Sequence, residues 1–90
     1  MRVTCDSSKD AENIRKHGIS LARAEDFDMG ASANIREDDS KDYGEVRYRA
    51  IGWLDAKLYT LIFTFRGDDV RVISLRKASP QERKLYAEEN

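Results

Sequence analysis

The chain has 90 residues, of which 40% are hydrophobic and 37% charged, and its formal net charge is −1. This length allows one domain, residues 1–90, with a modest core, and the single cysteine, Cys5, excludes an internal disulfide. Because the sequence has no Cys/His cluster for zinc, no signal peptide and no long apolar run, we expect a cytoplasmic protein without a cofactor and without a membrane segment.

The first helix is predicted from its two ends, after a strand-prone segment at residues 2–5. Ser7 and Asp10 have the spacing of a capping box, which marks the beginning of a helix. The helix runs through His17 and ends at Gly18, because glycine most easily adopts the left-handed conformation that closes a helix.

A second helix and three or four strands are predicted downstream, residues 33–36 being the optional one. Ser20 is the N-cap of this helix, whose apolar stripe contains Leu21, Ala24 and Phe27. Gly52 marks a possible β-bulge. The predicted strands are residues 33–36, 46–54, 58–66 and 70–77, with a polar loop at 37–44.

The last helix begins at Ser79 and Pro80, and Glu82 completes its capping box. The element order predicts an α+β fold with a short C-terminal helix. In this fold, two N-terminal helices pack on an antiparallel sheet of three to five strands.

Alternation in the last two strands separates an apolar face from a polar one. The polar set carries hydroxyl and guanidinium groups, and arginines fixed on one sheet face suit a phosphate ligand. The apolar set is Leu61, Phe63, Phe65, Ile73 and Leu75, and the polar set is Thr60, Thr64, Arg66, Ser74 and Arg76.

Two hairpin registers follow from this pattern. A three-residue turn at residues 67–69 pairs Ile62 with Ser74 and keeps the apolar set together. In the preceding hairpin, a two- or four-residue turn pairs Trp53 with Leu58 and puts Glu45, Arg47 and Arg49 on the polar face. A three-residue turn there sends both arginines to the helix-covered face, which is less favourable because burying them unpaired is costly.

Charge is concentrated in two segments. Residues 37–45 hold five carboxylates and one lysine, whereas residues 66–84 hold six cations and three carboxylates. The near-neutral total excludes binding of nucleic acid through bulk charge, because that affinity scales with the number of phosphates neutralised. A localised basic site remains, for nucleic acid or for an acidic protein surface.

A series of short motifs along nearly the whole chain, matching in order and spacing, resembles the BrnT family of toxins. The matching pieces are Asp6-x-x-Lys9, Asn13 to Ile19, Gly44-Glu45-x-Arg47, Thr64-x-Arg66, Arg71 to Ala78, Glu82-Arg83 and Tyr86. Two positions depart from the family pattern. The position of Cys5 usually holds an aromatic residue in the family, and the position of Arg23 often holds Glu. The resemblance implies a RelE-like fold and a metal-independent endoribonuclease that arrests translation. It also implies neutralisation by a ribbon-helix-helix antitoxin of the BrnA type, with DNA contacted only through that antitoxin.

Metal-free RNA cleavage needs a base for the 2′-hydroxyl, cations for the scissile phosphate and an acid for the leaving oxygen. Arg66 and Arg76 suit the phosphate, and Arg47 joins them if the favoured register holds. Ser74 either contacts the phosphate or is satisfied by the backbone. Three lysines are candidate RNA contacts or solvated side chains: Lys9, Lys16 and Lys77.

The base is either His17 or Glu45. Histidine is the side chain suited to both proton transfers at neutral pH, yet His17 at a helix end also interacts favourably with the helix dipole. Glu45 is a base, an orienting partner of Arg47, or a rim carboxylate. Trp53 and Tyr48 are interpreted as packing rather than base-stacking residues, and Cys5 as a small apolar filler.

A second class of function is a catalytically silent module that binds the antitoxin or nucleic acid. Convergence of Arg66 and Arg76 with a carboxylate or imidazole on an open face favours cleavage. Divergence of the arginines, or cover by a helix, favours the binding module.

Overall fold

The computed structural model describes residues 2–30, 33–38 and 44–89. Helices lie at both ends of the chain, on a five-stranded sheet in the order β1-β5-β4-β3-β2. The elements are β1 (Val3–Cys5), α1 (Ser7–His17), a 3-10 helix (Leu21–Asp26), β2 (Asn34–Asp38), β3 (Arg47–Leu54), β4 (Lys57–Arg66), β5 (Asp69–Lys77) and α2 (Pro80–Glu89). No helix in the described ranges is long and apolar enough to span a membrane.

The sheet is mixed, because β1 pairs parallel to β5 while the other neighbours are antiparallel. The α+β class is confirmed, but the prediction of a wholly antiparallel sheet is wrong. Parallel neighbours need a long crossover, which the chain between β1 and β5 provides. A three-residue strand carries too little pattern to reveal this direction from the sequence.

The N-cap of helix α1 lies one residue earlier than the sequence predicts. This N-cap is Asp6, whose carboxylate accepts hydrogen bonds from the backbone N–H groups of Ser8 (2.9 Å) and Lys9 (3.1 Å). Asp10 instead accepts from the Ser20 hydroxyl and from the Leu21 N–H, which ties α1 to the 3-10 helix. The predicted capping box at Ser7 and Asp10 is therefore wrong.

Three other predicted helix ends are confirmed. Gly18 closes α1 with φ +72°, and the Ser20 hydroxyl accepts from the Ala22 N–H at the 3-10 helix. At the start of α2, the Glu82 N–H donates to the Ser79 hydroxyl, and the Ser79 N–H donates back to the Glu82 carboxylate. Capping is predictable because donor and acceptor lie within a few residues of each other.

The second predicted α-helix is a 3-10 helix, although its apolar stripe is confirmed. Leu21, Ala24 and Phe27 are all buried, at a spacing of three residues that matches the 3-10 repeat. The Asp28 N–H then donates to the Trp53 carbonyl, which draws the chain out of helical conformation and toward β3. The spacing thus carries the information about helix type.

The first hairpin has the favoured register, with Trp53 opposite Leu58. Its turn residues, Asp55 and Ala56, have φ values of +51° and +66°, as a two-residue type I′ turn requires. Gly52 pairs regularly and is not a bulge. A Cβ there would lie 2.9 Å from the Phe27 ring, so the glycine permits close packing of the 3-10 segment on β3.

The second hairpin has a two-residue turn rather than the predicted three-residue turn. Arg66 pairs with Asp69, and Phe63 with Val72. A register shift beyond this pair leaves Ile73 as an extra residue in β5 and restores the predicted pair of Ile62 with Ser74. The apolar face of β5 accordingly carries Val70, Val72 and Leu75, and the prediction that Ile73 belongs to it is wrong.

The core lies between the apolar face of the sheet and the 3-10 helix, whose Leu21 is fully buried. Tyr48 stacks on Phe63 with ring centroids 5.5 Å apart, so its interpretation as a packing residue is confirmed. Cys5 packs against this core, and burial is the main cause that raises the pKa of its thiol. The thiol therefore stays protonated as an apolar filler.

Helix α2 lies against one end of the opposite, polar face. The Trp53 indole N–H donates to the Tyr86 hydroxyl at 3.1 Å, and the two rings meet edge to face. Asn34 and Arg36 on β2 both bind the Glu89 carboxylate. The remaining part of the polar face is not covered by α2.

Candidate active site

The uncovered part of the polar face carries arginines on three adjacent strands. Arg49 and Ser74 lie on either side of Ile62, in one row across β3, β4 and β5. Arg71 pairs with Thr64, and Arg47 lies one residue beyond the last pair of β3 with β4. With strands about 4.8 Å apart, residues two strands apart lie about 10 Å from each other. We name this surface, formed by Arg47, Arg49, Arg71 and Ser74, the arginine face.

Arg49 is the functional candidate that the sequence analysis placed on this face but did not select. Its Nε is buried and has no hydrogen-bond partner among the described residues. A buried N–H without an acceptor is unfavourable, and such groups are rare in native proteins. The residue as a whole is half-buried, so an external anion reaches the guanidinium from its exposed side and not at Nε. The alternation Arg47-x-Arg49 was the sequence signal that would have identified it.

Glu45 lies at the rim of the arginine face, between Arg47, its predicted partner, and Arg66. One carboxylate oxygen is 3.1 Å from Nε of Arg47, and the other is 3.8 Å from a terminal nitrogen of Arg66. The sequence therefore correctly grouped these three residues. A carboxylate shared between two guanidinium groups is well placed to orient them.

Arg76 lies at the other end of the polar face and is covered by α2. Its guanidinium forms a bidentate pair with Glu82, at 2.6 and 3.0 Å. It pairs with Thr60, six residues along β4 from Arg66, which corresponds to about 20 Å. Arg66 and Arg76 thus diverge, and by this criterion the binding module gains support.

The Arg76–Glu82 ion pair shifts the pKa values of both of its members. Burial acts to raise the pKa of Glu82, but hydrogen bonds from Arg76 and from the Ser79 backbone outweigh it and lower that pKa to about 2. The same hydrogen bond raises the pKa of Arg76. Both groups therefore remain charged, and the pair attaches α2 to β5.

A second group of predicted residues converges in a cleft of about 210 Å³ between α1 and β5. Ser74 connects this cleft to the arginine face, and Ile73 contributes a wall because it bulges from β5. From α1 come Lys9, Lys16 and His17, together with Glu12 and Asn13. Four residues selected from the sequence are thus brought together by the bulge and the helix.

Asn13 fixes α1 at the edge of β5. Its side-chain amide donates to the carbonyls of Leu75 (2.8 Å) and Ile19 (2.9 Å), and its oxygen accepts from the Leu75 N–H (3.2 Å). The pairing of β1 with β5 ends at Val72, so Asn13 satisfies the backbone where no further β1 residue reaches. The cleft therefore rests on a rigid support.

The cationic side chains of this cleft differ in their surroundings. Lys16 lies 3.4 Å from Glu12, which also binds Arg15 at 2.5 Å. The side chains of Lys9 and His17 make no ion pair or hydrogen bond with any residue in the described part of the chain. His17 stands exposed in the last turn of α1, which fits both its catalytic and its helix-end interpretation.

Lys77 lies apart from the other predicted RNA contacts. It lines a cleft of about 300 Å³ with Trp53, Lys57, Leu58, Ala78 and Arg83. Trp53 packs on Tyr86 as predicted, yet its side chain stays 42% exposed. The sequence did not identify Lys57 and Arg83 as candidates, because only the tertiary structure brings these strand and helix ends together around the indole.

Comparison with protein families shows the family to which the chain belongs. A family model described as the ribonuclease toxin BrnT of type II toxin–antitoxin systems matches residues 6–82. No curated protein matches the chain. The match covers most of the sequence, and the chain belongs to this family, which has RNA as substrate and an antitoxin as partner.

Proposed function

We propose that the chain, as a BrnT ribonuclease toxin, cleaves RNA internally at the arginine face and needs no metal ion for this step. The observation that carries the proposal is Arg49, whose Nε has no partner among the described residues and which lies on the same face of the sheet as Arg47 and Arg71. Guanidinium groups bind phosphate oxygens, whereas Mg²⁺ sites are built from carboxylates.

The proposed reaction is an intramolecular transfer of the phosphodiester. The 2′-oxygen attacks the adjacent phosphorus while a base takes its proton, and the bond from phosphorus to the 5′-oxygen breaks. An acid gives the departing 5′-oxygen a proton, which leaves a 2′,3′-cyclic phosphate and a 5′-hydroxyl. Negative charge grows on the phosphorane oxygens, so fixed cations stabilise the transition state more than the bound RNA.

Arg49 and Arg71 are assigned to the scissile phosphate, with the Ser74 hydroxyl beside them. Arg47 completes this set, and its orientation is held by Glu45. Arg66, whose side chain is 59% exposed, is assigned to a neighbouring phosphate. The proposed roles differ from the sequence expectation mainly in that Arg49, and not Arg76, contacts the scissile phosphate.

His17 is the proposed proton-transfer residue. It lines the same cleft as Ser74 and has no side-chain partner in the described ranges. Glu45 is the proposed positioning residue, because both of its oxygens already face arginines. Lys9 and Lys16 are proposed to hold the RNA backbone as it leaves the cleft.

Trp53 and its cationic neighbours are proposed to form a separate subsite for RNA. Lys57, Lys77 and Arg83 surround the half-exposed indole, and the lining contains no carboxylate. Stacking of a base on an aromatic ring together with phosphate contacts is a common way to bind single strands.

The biological part of the proposal is arrest of translation in the cytoplasm, reversed by a ribbon-helix-helix antitoxin of the BrnA type. DNA is contacted through that antitoxin, because this chain, with a formal net charge of −1, lacks the excess of cations that strong duplex binding needs. A RelE-like relationship is part of the same proposal, supported by the mixed sheet with one open polar face.

Cleavage is tested with the purified protein, a short single-stranded RNA and excess EDTA. We expect products with a 2′,3′-cyclic phosphate, and no cleavage when the nucleotide at the cut site lacks its 2′-hydroxyl. Cleavage of that deoxy analogue contradicts the mechanism.

The cover of Arg76 by α2 favours one alternative, the catalytically silent binding module. Binding of RNA without any cut supports that alternative.

A further inference from the structure

The apolar face of the sheet is only partly covered. Beside the 3-10 helix it forms a groove of about 340 Å³, lined by core residues and by three exposed residues, two of which are apolar. Phe65 is 48% exposed and Met29 39%, although both lie against the same core as Phe27 and Val70. Large exposed side chains that adjoin a core groove are typical of surfaces that bind a partner.

The chemistry of the groove excludes RNA as its ligand. Its only charged lining residue is Glu25, which makes no hydrogen bond or ion pair that involves residues 2–30, 33–38 or 44–89. The rest of the lining is apolar, so phosphate would be desolvated beside a carboxylate. The arginine face lies on the other side of the sheet, since Phe65 and Arg66 alternate along β4.

The topology determines the conformation of the occupant. The groove lies mainly over β4 and β5, which each have a neighbour on both sides, and only Val3 of its lining belongs to the edge strand β1. A ligand in the groove therefore finds no free sheet edge for its own backbone groups. A helix satisfies its backbone internally, whereas an extended segment would bury unpaired groups.

A second copy of this chain does not offer a suitable helix. Among the described residues, α1 exposes one large apolar side chain, Ile14, and α2 exposes none. A helix that fills a groove needs two or three apolar residues at spacings of three and four. The family supplies a different partner, because its members act in toxin–antitoxin pairs.

We propose that this groove binds an amphipathic helix of the cognate antitoxin. Its apolar side chains enter between Met29 and Phe65, and a lysine or arginine of the helix pairs with Glu25. The inference rests on the toxin–antitoxin membership within the proposed function and not on the cleavage mechanism. It makes the groove an anchor for the antitoxin that is separate from the RNA site.

The test uses Met29→Glu and Phe65→Glu, each purified and compared in melting temperature with the unchanged protein. The probe is the product of the antitoxin gene adjacent to the toxin gene. We expect each variant to bind it at least about 30-fold more weakly, as for a central interface residue. RNA cleavage by the free toxin should stay within about threefold, because the RNA site is on the opposite face.

Ile14→Glu is the matched control, since Ile14 is as exposed as Phe65 and does not line the groove. This control should bind the antitoxin normally. Glu25→Lys should weaken binding through repulsion of the cation on the helix.

Normal antitoxin affinity in both groove variants overturns the proposal. So does a wild-type homodimer that Met29→Glu dissociates, since the groove would then bind a second copy. If the unchanged toxin binds antitoxin through the groove but never cuts RNA, the groove proposal stands and the cleavage proposal fails.

Discussion

Ile62 lies directly opposite Ser74 although the turn between their strands has only two residues, because Ile73 is an extra residue in β5. The bulge compensates for the short turn and keeps Ser74 on the arginine face. It also turns Ile73 toward the cleft of α1. Bulges occur often beside active sites, where they redirect side chains.

Deleting Ile73 should remove the bulge without changing the faces of the sheet. Phe63 already pairs with Val72 and Ile62 with Ser74, so the deletion makes this ladder regular. We expect a folded protein whose RNA cleavage falls about tenfold or more, because the cleft loses a wall and β5 loses local twist. Ile73→Val, which keeps the extra residue, is the control, and unchanged cleavage by the deletion variant would separate the bulge from catalysis.

Arg49→Ala should lower RNA cleavage by about 10²–10³, the usual cost of losing a fixed charge at the transition state. Its stability should not fall, because the change removes a buried N–H that has no partner in the described residues. Arg49→Lys should restore little, since an ammonium lacks the bidentate geometry. Arg23→Ala, which removes an arginine of the 3-10 helix that pairs with Asp26 and Asp55, serves as the control, and full cleavage by Arg49→Ala rules out this assignment.

Glu82→Gln should destabilise the protein at neutral pH, and the difference in stability from the wild type should disappear in acid. The folded-state pKa of Glu82 is lowered from 4.5 to about 2, so its stabilisation is present above pH 4.5 and is lost as pH falls toward 2. Denaturant unfolding at several pH values should show the difference between wild type and variant shrinking across that range. A difference that grows on acidification contradicts the ion-pair account.

Arg76→Ala and Glu82→Gln together distinguish attachment of α2 from contact with RNA. If Arg76 acts only through Glu82, both changes should lower stability and leave the cleavage rate of the folded protein within about threefold. If Arg76 contacts the phosphate, its removal alone should lower cleavage about 10²-fold or more. Rate measurements well below each melting temperature decide between these results.

His17→Ala should slow RNA cleavage by about 10²-fold or more, and added imidazole should restore part of the rate if His17 transfers a proton. Glu45→Gln retains an acceptor for Arg47 and should cost about tenfold or less. The opposite ranking, with Glu45→Gln the more severe change and no rescue of His17→Ala, would make the carboxylate the base.

Local signals in the sequence determined much of this fold. The caps at Gly18, Ser20 and Ser79 and the register of Trp53 with Leu58 all depend on residues that are near in sequence. Alternation likewise identified one polar face with its arginines, and ordered motifs identified the family. These features are predictable because helix caps, tight turns and strand periodicity follow from short-range sterics and hydrogen bonding.

Tertiary structure alone decided which arginines of the polar face are covered by α2. Arg76 and Arg49 have equivalent alternation in the sequence, yet α2 gives Arg76 a carboxylate while Arg49 remains unpaired among the described residues. The parallel direction of β1 and the bulge at Ile73 were equally hidden, because each balances contacts between distant segments. The open groove at Phe65 has the same origin: the sequence marks an apolar face, but only packing determines how much of it the 3-10 helix covers.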